Sequence, residues 1–299
     1  MNIYITGGTG FIGSYVVKAL ASKKNRITVL ARNPKKAPGL KKLPNVRVVK
    51  ANMRDFTALK KQIKKPDALI HVALCWGETG PDMIKNETLS SVRLIDLGVK
   101  KGAKKIIFTS STAVTGFLSY DKGENDIREP FDFYGATKSS VEVYISAYSY
   151  YHKKIKFNVI RPGYTFGNPV VKGGPMEPDT RFRDICKKAK EGKTITVTKH
   201  DGTQFIWAGD LAKIYRKVLY SGLSNEIFFG LGKTHISWAQ IAKWAIEYAG
   251  SKSKLKITDK GWSSKPFYFK VNKIKKYFGL SFNPVKEIKK HIKYLVDNL

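Results

Sequence analysis

An α/β architecture is what the order of elements in this sequence predicts: a doubly wound parallel sheet with a smaller C-terminal α/β lobe. Three observations carry that expectation. Short apolar runs alternate with amphipathic helical stretches through the first half, a glycine-rich turn separates the first run from the first helix, and the alternation loosens after "RPGYTFGNP".

"NIYITG" is a short strand ending in glycines, and "FIGSYVVKALASK" follows with Phe11, Ile12, Val16, Val17 and Leu20 at helical spacing. "RITVLAR" and "VRVVKAN" read as the next strands, "DFTALKKQIKK" as a helix, and "DALIHVAL" as a buried strand running into a loop. A helix over "NETLSSVRLIDLGVKKG", the strand "KKIIFTSS", a helix beginning near Tyr134 and the strand "FNVIRPG" complete the alternation. Strands separated by helices imply right-handed crossovers, hence a parallel sheet and a dinucleotide-binding Rossmann domain over residues 1–162. Residues 163–299 are expected to form a substrate-binding lobe from the helices "TRFRDICKKAKEG" and "SWAQIAKWAIEYAG", the strands "TITVT" and "EIFFGLG", and a basic C-terminal helix. Parts of 203–235 are expected to return to the Rossmann sheet, and the lobe to close a cleft at the carboxyl ends of the strands.

Lys and Arg number 55 against 23 Asp and Glu, a net charge of +32 that raises the question of an anionic partner. The lysines come as pairs spread over the whole length, from Lys35-Lys36 to Lys289-Lys290, with no basic tail. Pairs such as those in "ALKKQIKK" fall on the polar positions of amphipathic helices, which is the pattern of solvated faces. No run is long and apolar enough for a membrane span, and "MNIYITGG" lacks the layout of a secretory signal, so a cytoplasmic protein is expected. Cys75 and Cys186 stand in unrelated contexts and imply neither a disulfide framework nor a cysteine metal site.

"TGGTGFIG" occupies the turn between the first strand and the first helix. Gly7, Gly10 and Gly13 fit a G-x-x-G-x-x-G spacing, and Gly8, Gly10 and Gly13 fit G-x-G-x-x-G as well. Glycine serves there because the turn is tight, a pyrophosphate must reach the backbone, and the helix must pack close to the strand. Free N–H groups at the helix N-terminus then hold phosphates. An NAD site usually carries an acid at the end of the second strand, whereas here Ala31 and Arg32 stand at that place, with Lys35 and Lys36 behind them. Arg32 can stack on adenine and pair with a 2′-phosphate, which favours NADP over NAD.

In "FDFYGATKSS", Tyr134 and Lys138 lie four residues apart and project together if a helix begins near Tyr134. A buried ammonium beside a phenol favours the phenolate, the condition for a general acid/base near neutral pH. Upstream, "KKIIFTSSTAVTG" places Ser110, Ser111 and Thr112 at the carboxyl end of a strand, the ligand-binding end of a doubly wound sheet. A hydroxyl there can bond a substrate oxygen, or it can shape a turn.

Together these residues resemble the extended short-chain dehydrogenase/reductase superfamily, in its NAD-dependent epimerase/dehydratase family. The resemblance runs over nearly the whole chain: "TGGTGFIG", "DALIHVA", "FTSSTAVTG", "YGATK", "VIRPGYTFG" and the C-terminal "VNKIKKYFGLSFNPVKEIKKHI" are each similar to a family segment. It implies that Tyr134 is the general acid/base, that Lys138 holds the nicotinamide ribose and lowers the tyrosine pKa, and that Ser111 is the catalytic hydroxyl, with Ser110 and Thr112 as alternates. It implies further that Phe11 and Ile12 lie near the pyrophosphate, that Asn52 and Met53 contact adenine, and that Ala73 lines the cofactor site. A homodimer through the helix of Tyr134 is implied as well, and no metal takes part.

The departures bear on the reaction. Ser111 is followed by Thr112-Ala113 where dehydratases of the family carry Asp-Glu, which disfavours dehydration. The arginine that grips a nucleotide-sugar diphosphate is missing from "TQFIWAGD", leaving Arg161, Arg181 or Arg183 to do so, and the usual asparagine of the helix before the serine strand is replaced by "NETLSS". The expected activity is an NAD(P)-dependent oxidoreductase moving hydride at a carbinol or carbonyl carbon, on a nucleotide sugar (epimerase) or on a ketone or aldehyde (reductase). The rival is a non-catalytic family member that binds RNA through its basic surface, with the intact serine, tyrosine and lysine arguing against it.

Overall fold

A computed structural model describes all 299 residues. Seven parallel strands make the central sheet: β1 (Asn2–Thr6), β2 (Arg26–Ala31), β3 (Val46–Lys50), β4 (Ala68–His71), β5 (Lys105–Thr109), β6 (Lys156–Pro162) and β11 (Glu226–Gly230). Their spatial order is β3-β2-β1-β4-β5-β6-β11, so the direction of winding reverses between β1 and β4. That reversal opens a crevice at the carboxyl ends of these two strands, where a doubly wound sheet binds ligands. Every residue of β4 and β5 is buried, as expected for a parallel sheet covered on both faces.

Strand periodicity divides the core into two layers. Ile3, Ile5, Val29 and Ile70 pack against α1 (Phe11–Leu20) and α7 (Ala208–Tyr220), whereas Tyr4, Leu69, Ile106 and Phe108 pack against α4 (Leu89–Lys100) and α5 (Phe133–Tyr151). Between α2 (Phe56–Gln62) and α5, the chain from Gly80 to Lys100 runs as α3 (Gly80–Met83), a π-turn (Ile84–Thr88) and then α4. β11 adds the seventh strand beside β6, in register Phe228↔Ile160, and brings part of the second half of the chain into the sheet.

A third core lies in the remaining C-terminal segments. α6 (Arg181–Lys190), α8 (Trp238–Ala249) and α10 (Val285–Asn298) enclose Phe182, Phe205, Trp238, Ile241 and Ile292. Three pairs of short strands supplement them: β7 (Thr165–Phe166) with β10 (Ile206–Trp207), β9 (Gly202–Gln204) with β12 (His235–Ser237), and β8 (Ile195–Thr198) with β13 (Leu255–Thr258). Ahead of α9 (Asn272–Phe278), an extended strap lies on the loop after β5: the Lys122 N–H donates to the Tyr268 carbonyl, and the Lys270 N–H to the Lys122 carbonyl, both at 2.8 Å. Gln204 fixes the same strap, accepting the Phe269 N–H at 2.7 Å and donating to the Phe269 carbonyl at 3.1 Å.

Candidate active site

A cleft of about 450 Å³ runs along the carboxyl ends of β1, β2, β3 and β4. Gly7, Gly10, Phe11, Ile12 and Gly13 line one wall, and all three glycines of the G-x-x-G-x-x-G reading are among them. Gly8 faces the core instead, where an added Cβ would stand 2.8 Å from Val29. Gly7 has a φ of +70°, which an L side chain rarely adopts, and a Cβ on it would meet the Ala73 nitrogen at 2.5 Å. Gly10 caps α1 without a side chain, so no side-chain oxygen takes up the N–H groups of the first turn at the cleft wall. This glycine-lined helix start, with free donors, fits the diphosphate of a dinucleotide.

The far end of the cleft is basic. Arg32 and Lys36 line it after β2, and Asn52, Met53 and Arg54 after β3, with Lys35 outside the lining. Asn52 Oδ1 accepts the Arg54 N–H at 3.1 Å, and the Arg54 guanidinium reaches Asn86 Oδ1 at 3.4 Å. The loop after β4 contributes Val72, Ala73, Leu74, Cys75 and Trp76, and Pro178 comes from the C-terminal half.

Outside the lining of this cleft, beyond Trp76, Asp132 caps α5 by accepting the Gly135 N–H at 2.6 Å, which starts the helix at Phe133 and sets Tyr134 and Lys138 on one face. The Lys138 ammonium lies 5.9 Å from the centre of the Tyr134 ring and 5.0 Å from that of Phe108. Trp76, well exposed, stands 6.1 Å from the Tyr134 ring. Gly135 lets α5 approach the turn after β5: a Cβ there would come 2.6 Å from the Ala113 carbonyl oxygen. Ser111 is half-exposed and heads that turn, its Oγ accepting the Ala113 N–H at 3.1 Å. Ser110 is buried beside Glu142, and Thr112 offers its carbonyl to the Thr115 hydroxyl at 2.7 Å. Of the three hydroxyl residues, Ser111 combines partial exposure with a fixed oxygen.

Sequence reasoning missed Glu87 and His71. Lys138 Nζ donates to Glu87 Oε1 at 2.7 Å, and Glu87 Oε2 accepts the Cys75 N–H at 2.6 Å, with both side chains buried. Burial pushes the Glu87 carboxyl up, but the Lys138 ammonium, His71 and these hydrogen bonds outweigh it and hold the group below the usual carboxylate range. The His71 ring is fixed between Thr6 Oγ1 and Ser91 Oγ, each at 2.8 Å, and burial pushes its pKa down to about 4. Burial likewise pushes the Cys75 thiol up to about 11, so it is a neutral neighbour at physiological pH.

Of the three arginines expected to be available for a phosphate, two are paired with carboxylates of the chain. Arg161 is fully buried and forks onto Glu142 at 2.8 and 2.6 Å, while its third nitrogen donates to the Glu124 carbonyl. Arg181 pairs with Asp201 and lies over the Trp238 ring at 4.1 Å. Arg183 donates to the Glu177 carbonyl at 3.2 Å. Arg161 and Arg181 are thus taken up by carboxylates of the chain itself, whereas Arg183 forms no ion pair and its buried Nε has no hydrogen-bond partner.

Comparison with known proteins agrees with this fold. A relative from Methanocaldococcus jannaschii, described as an uncharacterized membrane protein, is 31% identical over 240 residues, which cover 76% of this chain and 65% of that protein. The chain thus spans just under two thirds of that relative's length. No helix of the present chain is long and apolar enough to cross a membrane. A putative UDP-glucose 4-epimerase of the same organism is 27% identical over 311 aligned positions, covering 99% of this chain and 97% of its own. Among solved structures, UDP-glucuronic acid 4-epimerase from Bacillus cereus, in complex with NAD, superposes with a TM-score of 0.83 at 19% identity, over 99% of this chain and 98% of the other, a likeness of fold. The profile of the NAD dependent epimerase/dehydratase family matches residues 3–229, and the chain belongs to that family.

Proposed function

We propose that the protein is an NAD(P)-dependent oxidoreductase acting at a carbinol or carbonyl carbon, with Tyr134 as its general acid/base. The observation that carries this reading is the buried Lys138 ammonium 5.9 Å from the Tyr134 ring, on the helix that packs against the Ser111 turn. When bound, the nicotinamide group accepts or returns a hydride. The Tyr134 hydroxyl takes up or gives the proton of the substrate oxygen. Ser111, whose Oγ is held by the Ala113 N–H, donates its own proton to that oxygen and so favours charge developing there. Lys138 uses one N–H on Glu87 and retains two for the ribose hydroxyls. A Tyr134→Phe variant should keep cofactor affinity and lose turnover by about 10²–10⁴-fold. Full turnover in that variant would remove Tyr134 from the chemistry.

A reductase of small ketones or aldehydes is favoured over a nucleotide-sugar epimerase, because Arg161 and Arg181 are held by internal carboxylates. NADP is favoured over NAD, because Arg32, Lys36 and Arg54 line the ribose end of the cleft. Side-by-side titration with NADPH and NADH tests this without a substrate. NADPH should bind at least about tenfold more tightly, about 1.4 kcal/mol. Equal or tighter NADH binding makes nucleotide-sugar epimerisation the first assay. We also propose that two copies pair through the outer face of α5, where Val143, Tyr144, Tyr150 and Tyr151 are exposed. Light scattering should then give about twice the 33.6 kDa chain mass, and a monomer at micromolar concentration rules the pairing out.

A further inference from the structure

We propose that Glu87 is a positioning residue that holds Lys138 and supplies the counter-charge without which the buried ammonium would weaken binding of the oxidised, cationic nicotinamide cofactor relative to the reduced one. The inference rests on the reading of the cleft as a dinucleotide site.

Glu87 sits in the π-turn at Ile84–Thr88, between α3 and α4. One extra residue in a helical turn rotates the residues after it, and such turns gather at functional positions. Here Glu87 and Ser91, four residues on, are both fully buried, while Ile84 is 63% exposed. The carboxylate faces the loop after β4 and the lysine of α5. With one oxygen on the Cys75 N–H and the other on Lys138 Nζ, Glu87 fixes the position of the lysine and one end of the cleft wall together.

Groups from three elements face this carboxylate. Lys138 comes from α5, His71 from β4 and Cys75 from the loop after β4, with Arg54 and Arg32 further along the cleft. His71 and Cys75 are neutral at pH 7. Without Glu87, the buried neighbourhood would carry the Lys138 ammonium uncompensated, and that charge opposes a cationic nicotinamide more than a neutral dihydronicotinamide. With Glu87 ionised, the pair is neutral and the penalty disappears. A carboxylate that served only to hold the lysine in place would, on removal, weaken both cofactor forms alike.

The test is a set of fluorescence and calorimetric titrations of the full chain with NADP+, NADPH, NAD+ and NADH. Wild type is compared with Glu87→Gln, which keeps the shape and removes the charge. The ratio of oxidised to reduced affinity should fall by about tenfold in Glu87→Gln. Lys138→Met, which removes the opposing charge, should move the ratio the other way by a similar factor while weakening both forms. A folded Glu87→Gln protein whose ratio equals that of wild type overturns the inference. Should Glu87→Gln fail to fold, an unchanged ratio in Lys138→Met does the same. If wild type binds none of the four dinucleotides, the cofactor reading falls and takes this inference with it; dinucleotide binding with an unmoved ratio removes the inference alone.

Discussion

The cofactor loop makes opposite demands at two of its glycines, and alanine substitutions separate them. A Cβ on Gly13 would lie 2.1 Å from the Gly7 carbonyl oxygen, 2.7 Å from its carbon and 2.8 Å from Gly8 Cα. Those atoms are backbone, so the loop and the start of α1 must move apart by about an ångström to reach ordinary contact distance in a close-packed interior. Val16, Val17 and Leu20 of α1 belong to the core cluster that includes Leu211 and Tyr215 of α7, so the displacement is opposed by packing along the helix. Overpacking of this kind costs about 3 kcal/mol, which lowers Tm by roughly 6–12 °C at about 2–4 °C per kcal/mol for a chain of this size class. A Cβ on Gly10 meets only the Gly7 oxygen, at 3.1 Å, and otherwise stands in the open cleft, while the Gly10 φ of −83° suits any residue. Gly10→Ala should therefore shift Tm by no more than about 2 °C and reduce dinucleotide affinity at least about tenfold by obstructing the pyrophosphate. Thermal melts and cofactor titrations on the two variants read both quantities. An unchanged Tm in Gly13→Ala refutes the tight packing at that position, and undiminished affinity in Gly10→Ala refutes the placement of the phosphates.

Two further outcomes depend on buried charges. Arg161→Met leaves Glu142 with Arg128 as its remaining cation and should cost about 3–5 kcal/mol in urea unfolding; a loss below about 1 kcal/mol would mean the fork contributes little. The second concerns His71, whose pKa burial lowers from 6.5 to about 4. The unfolded chain binds a proton near pH 6.5 and the folded one resists until about 4, so this contribution is fully present above 6.5 and is lost as pH falls through that window. It amounts to about 3 kcal/mol. Urea unfolding of wild type and His71→Asn at about pH 7.5 and about pH 4.5 should show the smaller pH dependence in the variant, and equal slopes refute the assignment.

Much of the architecture was legible because buried parallel strands leave an unambiguous pattern. "ALIH" and "KIIFT" are apolar runs of strand length, and the helices between them keep helical spacing, so the sheet could be laid out in order. Gly7, Gly10, Phe11, Ile12, Gly13, Arg32, Asn52, Met53 and Ala73 all fall on one cleft, because strand ends and the turns after them are fixed by the same periodicity. β13 escaped because "LKIT" is an exposed strand carrying only a half-buried Leu255. Glu87 escaped for a different reason. In "NETLSS" it reads as a polar residue at the start of a helix, and only the π-turn, which no local propensity marks, rotates it into the interior. His71 lay inside a strand already assigned as buried, where a histidine between apolar residues gives no sign of the Thr6 and Ser91 hydroxyls that fix it.

The distribution of acids bears on how cofactor selectivity must be measured. With 55 Lys and Arg against 23 Asp and Glu, and Glu87, Glu142 and Glu177 taken up inside against Lys138, Arg161 and His291, the acids that remain fall far short of the surface cations. The outer field is therefore strongly positive and draws in any anionic dinucleotide. A 2′-phosphate adds charge, so this field alone tilts binding toward NADPH, independently of any side chain at the ribose end. Salt separates the two sources. At about 0.5 M ionic strength, interactions beyond a few ångströms are screened, while ion pairs in direct contact persist in part. If Arg32, Lys36 and Arg54 hold the 2′-phosphate, the NADPH-to-NADH affinity ratio should remain several-fold above one at high salt and fall toward one in Arg32→Ala. A ratio that collapses with salt in wild type, and that Arg32→Ala leaves unchanged at low salt, would place the selectivity in the general field and withdraw it from the ribose end of the cleft.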